Sequence, residues 1–185
     1  MTFSRASVSA DRIADVLEEP IQVHDPAVPE TFEKPVKGLV TFDDVSFRYP
    51  DAEEDVLHNI SFEAQPGQVT TLIGSTGSGK STIVNLIPRF FDVTKGRILV
   101  DGKDIRSVTQ HELREQIGYT PQRALLFSGT VETNLQLGKP DATEEEMLEA
   151  IEIAQAADFV TSAPEGLERE IAQAGDNVSG DQKQR

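Results

Sequence analysis

The chain has 185 residues, 37% hydrophobic and 26% charged, which is ordinary for a soluble globular protein and enough apolar text to bury a core. Seventeen basic against 32 acidic residues give a formal charge of -15, which repels nucleic-acid phosphates and argues against a nucleic-acid partner, though not against a local basic pocket. The absence of cysteine excludes disulfides and thiolate metal sites; no apolar run approaches the ~18 residues of a membrane span, and the start MTFSRASVSADRIAD lacks the apolar core of a signal peptide.

Residues 9–19 read as a short helix, with Ser9 as its cap, Ile13, Val16 and Leu17 on one face, and Pro20 after its end. Pro20, Pro26, Pro29 and Pro35 then lie among polar residues, the composition of a linker. The globular part is expected from about Val36. Val40 and Phe42, then Val45 and Phe47, alternate as half-buried strand positions do, and the three-residue step in the middle predicts a bend or bulge at Asp43 and Asp44. Ile60, Phe62 and Ala64 alternate again, and Pro66 with Gly67 supplies a turn. Residues 69–73 (VTTLI) are a short β-branched run, which predicts a buried parallel strand. Residues 81–87 read as a helix stopped by Pro88.

Residues 97–100 and 103–105 flank Asp101-Gly102, a hairpin signal. Thr109 with Glu112 predicts a capping box on a short helix to Gln116, and residues 117–120 are a further strand candidate ended by Pro121. From Thr130 onward the text is helical. Thr143 and Glu146 form a second capping box, followed by Met147, Ile151 and Ala154 on one face. The acidic run 144–146 reads as a solvated first turn favoured by the helix dipole. Strands first and helices later predict an α/β domain carrying an inserted α-helical subdomain.

The strongest chemical signal is Gly74-Ser75-Thr76-Gly77-Ser78-Gly79-Lys80-Ser81, which fits G-x-x-x-x-G-K-[ST] without a mismatch. Glycines let successive backbone N–H groups turn toward one anion, and the following helix points its positive end at the same place. Lys80 adds a full charge for the β- and γ-phosphates, and the Ser81 hydroxyl suits Mg²⁺. The loop alone says nucleoside triphosphate, not which machine uses it.

The rest of the chain resembles the nucleotide-binding domain of ABC transporters, of the exporter type fused to a membrane domain. Phe47-Arg48-Tyr49-Pro50 resembles the A-loop, whose aromatic ring stacks on adenine. Thr120-Pro121-Gln122 resembles the Q-loop, whose glutamine approaches Mg²⁺ and the attacking water, and residues 124–130 (ALLFSGT) continue as exporters do. Val178-Ser179-Gly180-Asp181-Gln182 resembles the signature motif, which donates to the γ-phosphate held by a partner's phosphate loop. Residues 170–175 look like the loop that senses the membrane domain. The resemblance implies ATP and Mg²⁺, nucleotide contacts through Tyr49, residues 74–81 and Thr82, and catalytic roles for Lys80 and Gln122. It implies as partners a second nucleotide-binding domain, identical or different, and a membrane domain, with the motor at the cytoplasmic face of the cell membrane. The implied fold is a P-loop NTPase core with an N-terminal antiparallel β-subdomain: residues 1–35 as a helical linker, 36–185 as a partial nucleotide-binding domain, and a helical subdomain over about 123–185.

Two departures qualify this. Asp181 stands where the family has glycine. A carboxylate about 6 Å from a phosphate charge costs roughly 3 kcal/mol at an effective dielectric near 20, which would make this a weak signature and favour a heterodimer; alternatively Asp181 turns to solvent and changes little. The text also stops at Arg185, before the positions where the resemblance places Walker B, its catalytic glutamate and the switch histidine. His24, His58 and His111 lie at none of these places, so these residues alone are expected not to turn over ATP. Competing readings are a regulatory half that holds ATP without cleaving it, an ABC protein acting on ribosomes or DNA, and a small-molecule kinase; the charge disfavours the second and the signature motif the third.

Overall fold

Strand β1 (Val40–Phe47) becomes the centre of an antiparallel sheet because both its edges find partners. Strand β2 (Leu57–Ala64) pairs along one edge and β3 (Lys95–Val100) along the other, with the short β4 (Lys103–Asp104) beyond β3. In the computed structural model, which describes residues 10, 12–14 and 16–184, the chain forms two compact units, Met1–Gly118 and Tyr119–Arg185. The architecture is mixed α/β, with the antiparallel sheet confined to the first unit apart from one short two-stranded pair.

The bulge expected in β1 is present. The ladder shifts register between Phe42 and Val45 on the β2 side and between Asp43 and Ser46 on the β3 side. Asp44 sits there at φ 51 and donates its N–H to Ser61 Oγ at 3.0 Å. Gly96 makes room across the ladder: a Cβ there would lie 2.4 Å from the carbonyl oxygens of both Asp43 and Asp44. The extra residue lets Phe42, Val45 and Phe47 all enter one core, with Leu57, Leu86, Ile98 and Leu113. The β3–β4 hairpin turns at Asp101 (φ 48) and Gly102 (φ 81), both left-handed as its two-residue loop requires. The Asp101 carboxylate also accepts from the backbone N–H groups of Lys37, Gly38 and Leu39, fixing the entry to β1.

The proline-rich stretch before β1 is tied to this unit along its length. Arg89 donates to the His24 carbonyl (2.9 Å), Gln110 N to Asp25 Oδ1 (2.8 Å) and Glu30 N to the Ser107 carbonyl (2.8 Å), while Phe32 is buried in the core. Helix α1 (Lys80–Leu86) and helix α2 (Gln110–Arg114) follow the forecast closely. The box on α2 is only half made, however. Thr109 accepts from Glu112 N, but the Glu112 carboxylate is taken by Phe32 N at 3.4 Å.

Two expected strands do not form. Residues 69–73 and 117–120 carry no strand pairing, and Val69 and Ile73 lie open at 95% and 93% exposure. A parallel strand is stabilised by neighbours, and among the described residues no strand pairs with either run.

In the second unit, β5 (Gly129–Thr130) pairs with β6 (Glu170–Ile171) around α3 (Val131–Leu135), α4 (Glu144–Ile153) and α5 (Ala157–Thr161). Val131, Ile151, Val160, Ile171 and Val178 form its core. Thr143 and Glu146 make their reciprocal box on α4, Met147 and Ile151 are buried below it, and residues 144–146 are exposed, as the sequence predicts. A second box, Thr130 with Thr133 on α3, uses threonine where glutamate or glutamine is usual. Residues 10, 12–14 and 16–18 are helical with Ile13, Val16 and Leu17 exposed; the expected cap, Ser9, lies outside the described residues. Among the described residues no helix is long and apolar enough to cross a membrane.

Candidate functional site

Helix α1 is seated by Thr82, Ile83 and Leu86, all buried, so its first turn and the loop before it have a fixed base. Residues 74–78 are exposed. Gly77 and Gly79 take φ 83 and 84, conformations that an L side chain strains to adopt. Gly79 is the N-cap of α1, and no side chain caps the helix there. Its position is also closed to a Cβ, which would meet Leu57 Cδ2 at 2.6 Å, whereas a Cβ at Gly77 would meet nothing. The loop therefore leads into the helix with backbone N–H groups that no cap consumes. The Lys80 ammonium bends back to donate to the carbonyls of Gly74 (2.9 Å) and Ser75 (2.6 Å) and to Ser78 Oγ (3.3 Å).

Tyr49 follows β1 and meets this helix from the side. Its phenol lies near-perpendicular to the rings of Phe47 (4.8 Å, 80°) and Phe91 (5.2 Å, 86°), and its hydroxyl pairs with Thr82 Oγ1 at 3.0 Å. An open cleft of about 560 Å³ is lined by Tyr49, Phe47, Arg48, Phe91, Asp92 and Thr94 among others. Within the first unit the fold thus joins Tyr49, Thr82 and the loop residues.

Gln122 and residues 179–182 belong to the second unit. Gln122 is exposed in a loop after Pro121. Ser179 begins helix α6 (Gly180–Gln184): Gln182 N donates to Ser179 Oγ (3.2 Å) and Ser179 N to Gln182 Oε1 (3.0 Å). This reciprocal box was legible in the S-x-x-Q spacing and passes unnoticed when the segment is read only as a motif. Asp181 is exposed and helical, outside the positive-φ positions, so glycine is not required there by the backbone. His24, His58 and His111 are all exposed, and His111 Nε2 lies 3.2 Å from Glu115.

Away from these residues, a hydrogen bond with Glu168, then burial and then the Glu168 charge, raise the Glu132 carboxyl above the usual carboxylate range. Among the described residues no cluster of three or more His, Cys, Asp or Glu side chains could cage a metal. Mg²⁺ at a phosphate site does not need one, because it keeps several waters and binds through substrate oxygens with few protein ligands. Within the first unit Ser81 is exposed, and its hydroxyl oxygen is the kind of ligand Mg²⁺ accepts.

An antiparallel sheet feeding a glycine loop and helix, followed by a helical unit, defines a mixed α/β domain of the P-loop class. The chain belongs to the ABC transporter family, whose family model matches residues 57–185. The ABC transporter ATP-binding protein YfiB of Bacillus subtilis is 42% identical over 185 residues, all of this chain and 32% of that protein. The ATP-binding/permease protein YgaD of the same organism, named for multidrug export, is 47% identical over 150 residues, 81% of this chain and 26% of that protein. Among solved structures, a bacterial Atm1-family ABC exporter with ATP bound superposes with a TM-score of 0.86 at 35% identity, over 98% of this chain and 32% of that one. The chain spans between about a quarter and a third of the length of the curated relatives it matches.

Proposed function

We propose that this chain is the ATP-binding motor part of an ABC exporter, which couples ATP binding and hydrolysis to transport across a membrane. The observation that carries the reading is the uncapped glycine loop before α1, with the Lys80 ammonium held at its carbonyls. Tyr49 offers its ring to adenine, and residues 74–81 with Thr82 wrap the triphosphate through backbone N–H groups. Lys80 neutralises charge on the β- and γ-phosphates; it can keep its bonds to the carbonyls of Gly74 and Ser75 and turn to a phosphate oxygen the proton now given to Ser78 Oγ, its longest contact at 3.3 Å. By the resemblance Ser81 and Gln122 would each offer an oxygen to Mg²⁺, which would supply positive charge against the phosphates. Gln122 orients the water for in-line attack on the γ-phosphate, so the chain contributes positioning and charge rather than covalent chemistry. Residues Ser179, Gly180, Asp181 and Gln182 serve the γ-phosphate of a second nucleotide-binding domain. Ser179 Oγ accepts from Gln182 N, which leaves its own proton free to donate.

The named export relatives and the Atm1-family neighbour support an exporter with a membrane domain, the motor lying at its cytoplasmic face. A partner of different sequence is favoured over an identical one by a single observation, the exposed carboxylate of Asp181 in the signature. The same residue favours the second reading, a regulatory half whose composite site hydrolyses slowly.

The test is ATP binding and phosphate release by the intact transporter carrying Lys80→Ala. Loss of one charged donor at a transferring phosphoryl group should lower turnover on the order of a hundredfold or more. Undiminished turnover would remove the reading.

A further inference from the structure

Thr82 differs from the other residues around the loop. It is 6% exposed, and its hydroxyl pairs with the phenol of Tyr49, a residue 33 positions earlier in the chain. Helix α1 cannot shift at Thr82 without disturbing Ile83 and Leu86, which are buried beside it. At the other end of the bond, the Tyr49 ring is steadied near-perpendicular to Phe47 and Phe91. The only polar tie on the phenol oxygen among the described residues therefore runs to the helix that carries the phosphate loop.

We infer that Thr82 is a positioning residue: its hydroxyl holds the Tyr49 ring at a fixed separation from the phosphate loop. A base site and a phosphate site are thereby joined into one rigid template. The inference rests on the proposed function, in which Tyr49 takes the base and the loop takes the triphosphate. A ring held in place before the ligand arrives need not be ordered on binding, and affinity gains by that amount. A ligand without a base gains nothing from it. The bond is buried at Thr82, so removing one partner also leaves the other hydroxyl short of a hydrogen bond.

The experiment compares equilibrium binding of ATP and of inorganic tripolyphosphate to the intact protein as wild type, Tyr49→Phe, Thr82→Val, Thr82→Ser and the Tyr49→Phe/Thr82→Val double variant. Tyr49→Phe and Thr82→Val should each weaken ATP about fivefold, the size of one net hydrogen bond, and Tyr49→Phe should leave tripolyphosphate unchanged. The double variant should be no weaker than either single one, and Thr82→Ser should stay within about twofold of wild type because it restores the hydroxyl. Unchanged ATP affinity in Tyr49→Phe, or a double-variant loss equal to the product of the single losses, would overturn the inference. So would an equal loss of ATP and tripolyphosphate in Thr82→Val, which would assign the hydroxyl to the phosphates. If Thr82→Val does not fold, Tyr49→Phe decides the matter alone. A wild type that binds neither ligand removes the proposed function itself, a different result from a wild type that binds both and a Tyr49→Phe variant that matches it.

Discussion

The phosphate loop and the signature segment each open a short helix, and they do so in opposite ways. At α1 the cap is Gly79 in a left-handed conformation, with no side chain satisfying the first backbone N–H groups. At α6 the cap is Ser179, which exchanges hydrogen bonds with Gln182 and closes the helix end on itself. A helix start without a cap leaves orphan donors, a cost that a folded domain tolerates when something else takes them. A closed start is stable by itself and can only lend what its cap still has free, here the Ser179 proton. Under the proposed function, the first unit would receive an anion and the second would present one hydroxyl to an anion held elsewhere.

The largest blow to this comparison should come from glycine at the open end. Gly79→Ala forces a side chain into φ 84 and drives its Cβ to 2.6 Å from Leu57 Cδ2. The left-handed conformation alone costs about 1–2 kcal/mol, and the clash adds to it. Gly77→Ala has a similar φ of 83 but meets nothing within 4 Å, so it should show the backbone cost alone. Thermal unfolding of both variants in the intact protein separates the two contributions. Equal destabilisation would mean that Leu57 yields freely and that only conformation keeps glycine at position 79.

The closed end should respond less. Ser179→Ala removes the box on α6, worth about 1 kcal/mol for a typical N-cap, and it frees Gln182 N. Hydrogen exchange at the amides of residues 182 and 183 should quicken, while Ser179→Thr keeps them protected. Faster exchange in the threonine variant as well would show that packing, not capping, starts this helix.

How much of this was legible depends on how local the cause is. The bulge at Asp44, the Asp101-Gly102 turn and the Thr143 box are each decided within a few residues, and each is readable in the text. Residues 69–73 have strand composition but no ladder, because a parallel strand is made by neighbours far along the chain. The Glu112 carboxylate was expected to face its own helix and instead meets Phe32 N, 80 residues away. Phe32 itself is hidden in a polar, proline-rich stretch, and no periodicity marks it as core. At the site, the glycines and Lys80 announce their chemistry through spacing, whereas the bond between Tyr49 and Thr82 exists only because the fold brings the end of β1 to α1.

The smallest expected effect sharpens the comparison most, because it separates charge from conformation at the closed end. Asp181 stands where the resemblance implies glycine, and two mechanisms could make that harmful: a strained backbone or a misplaced charge. The first is removed by the structure, since Asp181 is helical and outside the positive-φ positions, in the first turn of α6 where an acidic side chain is favoured. Only the charge remains, on an exposed carboxylate that solvent screens. Asp181→Gly in the intact transporter should therefore raise turnover by a few-fold, and the gain should shrink as ionic strength rises from about 0.01 M to 0.15 M and the Debye length falls from about 30 Å to 8 Å. A gain that ignores salt would point back to the backbone. No gain at any salt would mean that the carboxylate stays in solvent, away from the partner's phosphate, and the argument for a dissimilar partner would lose its one support.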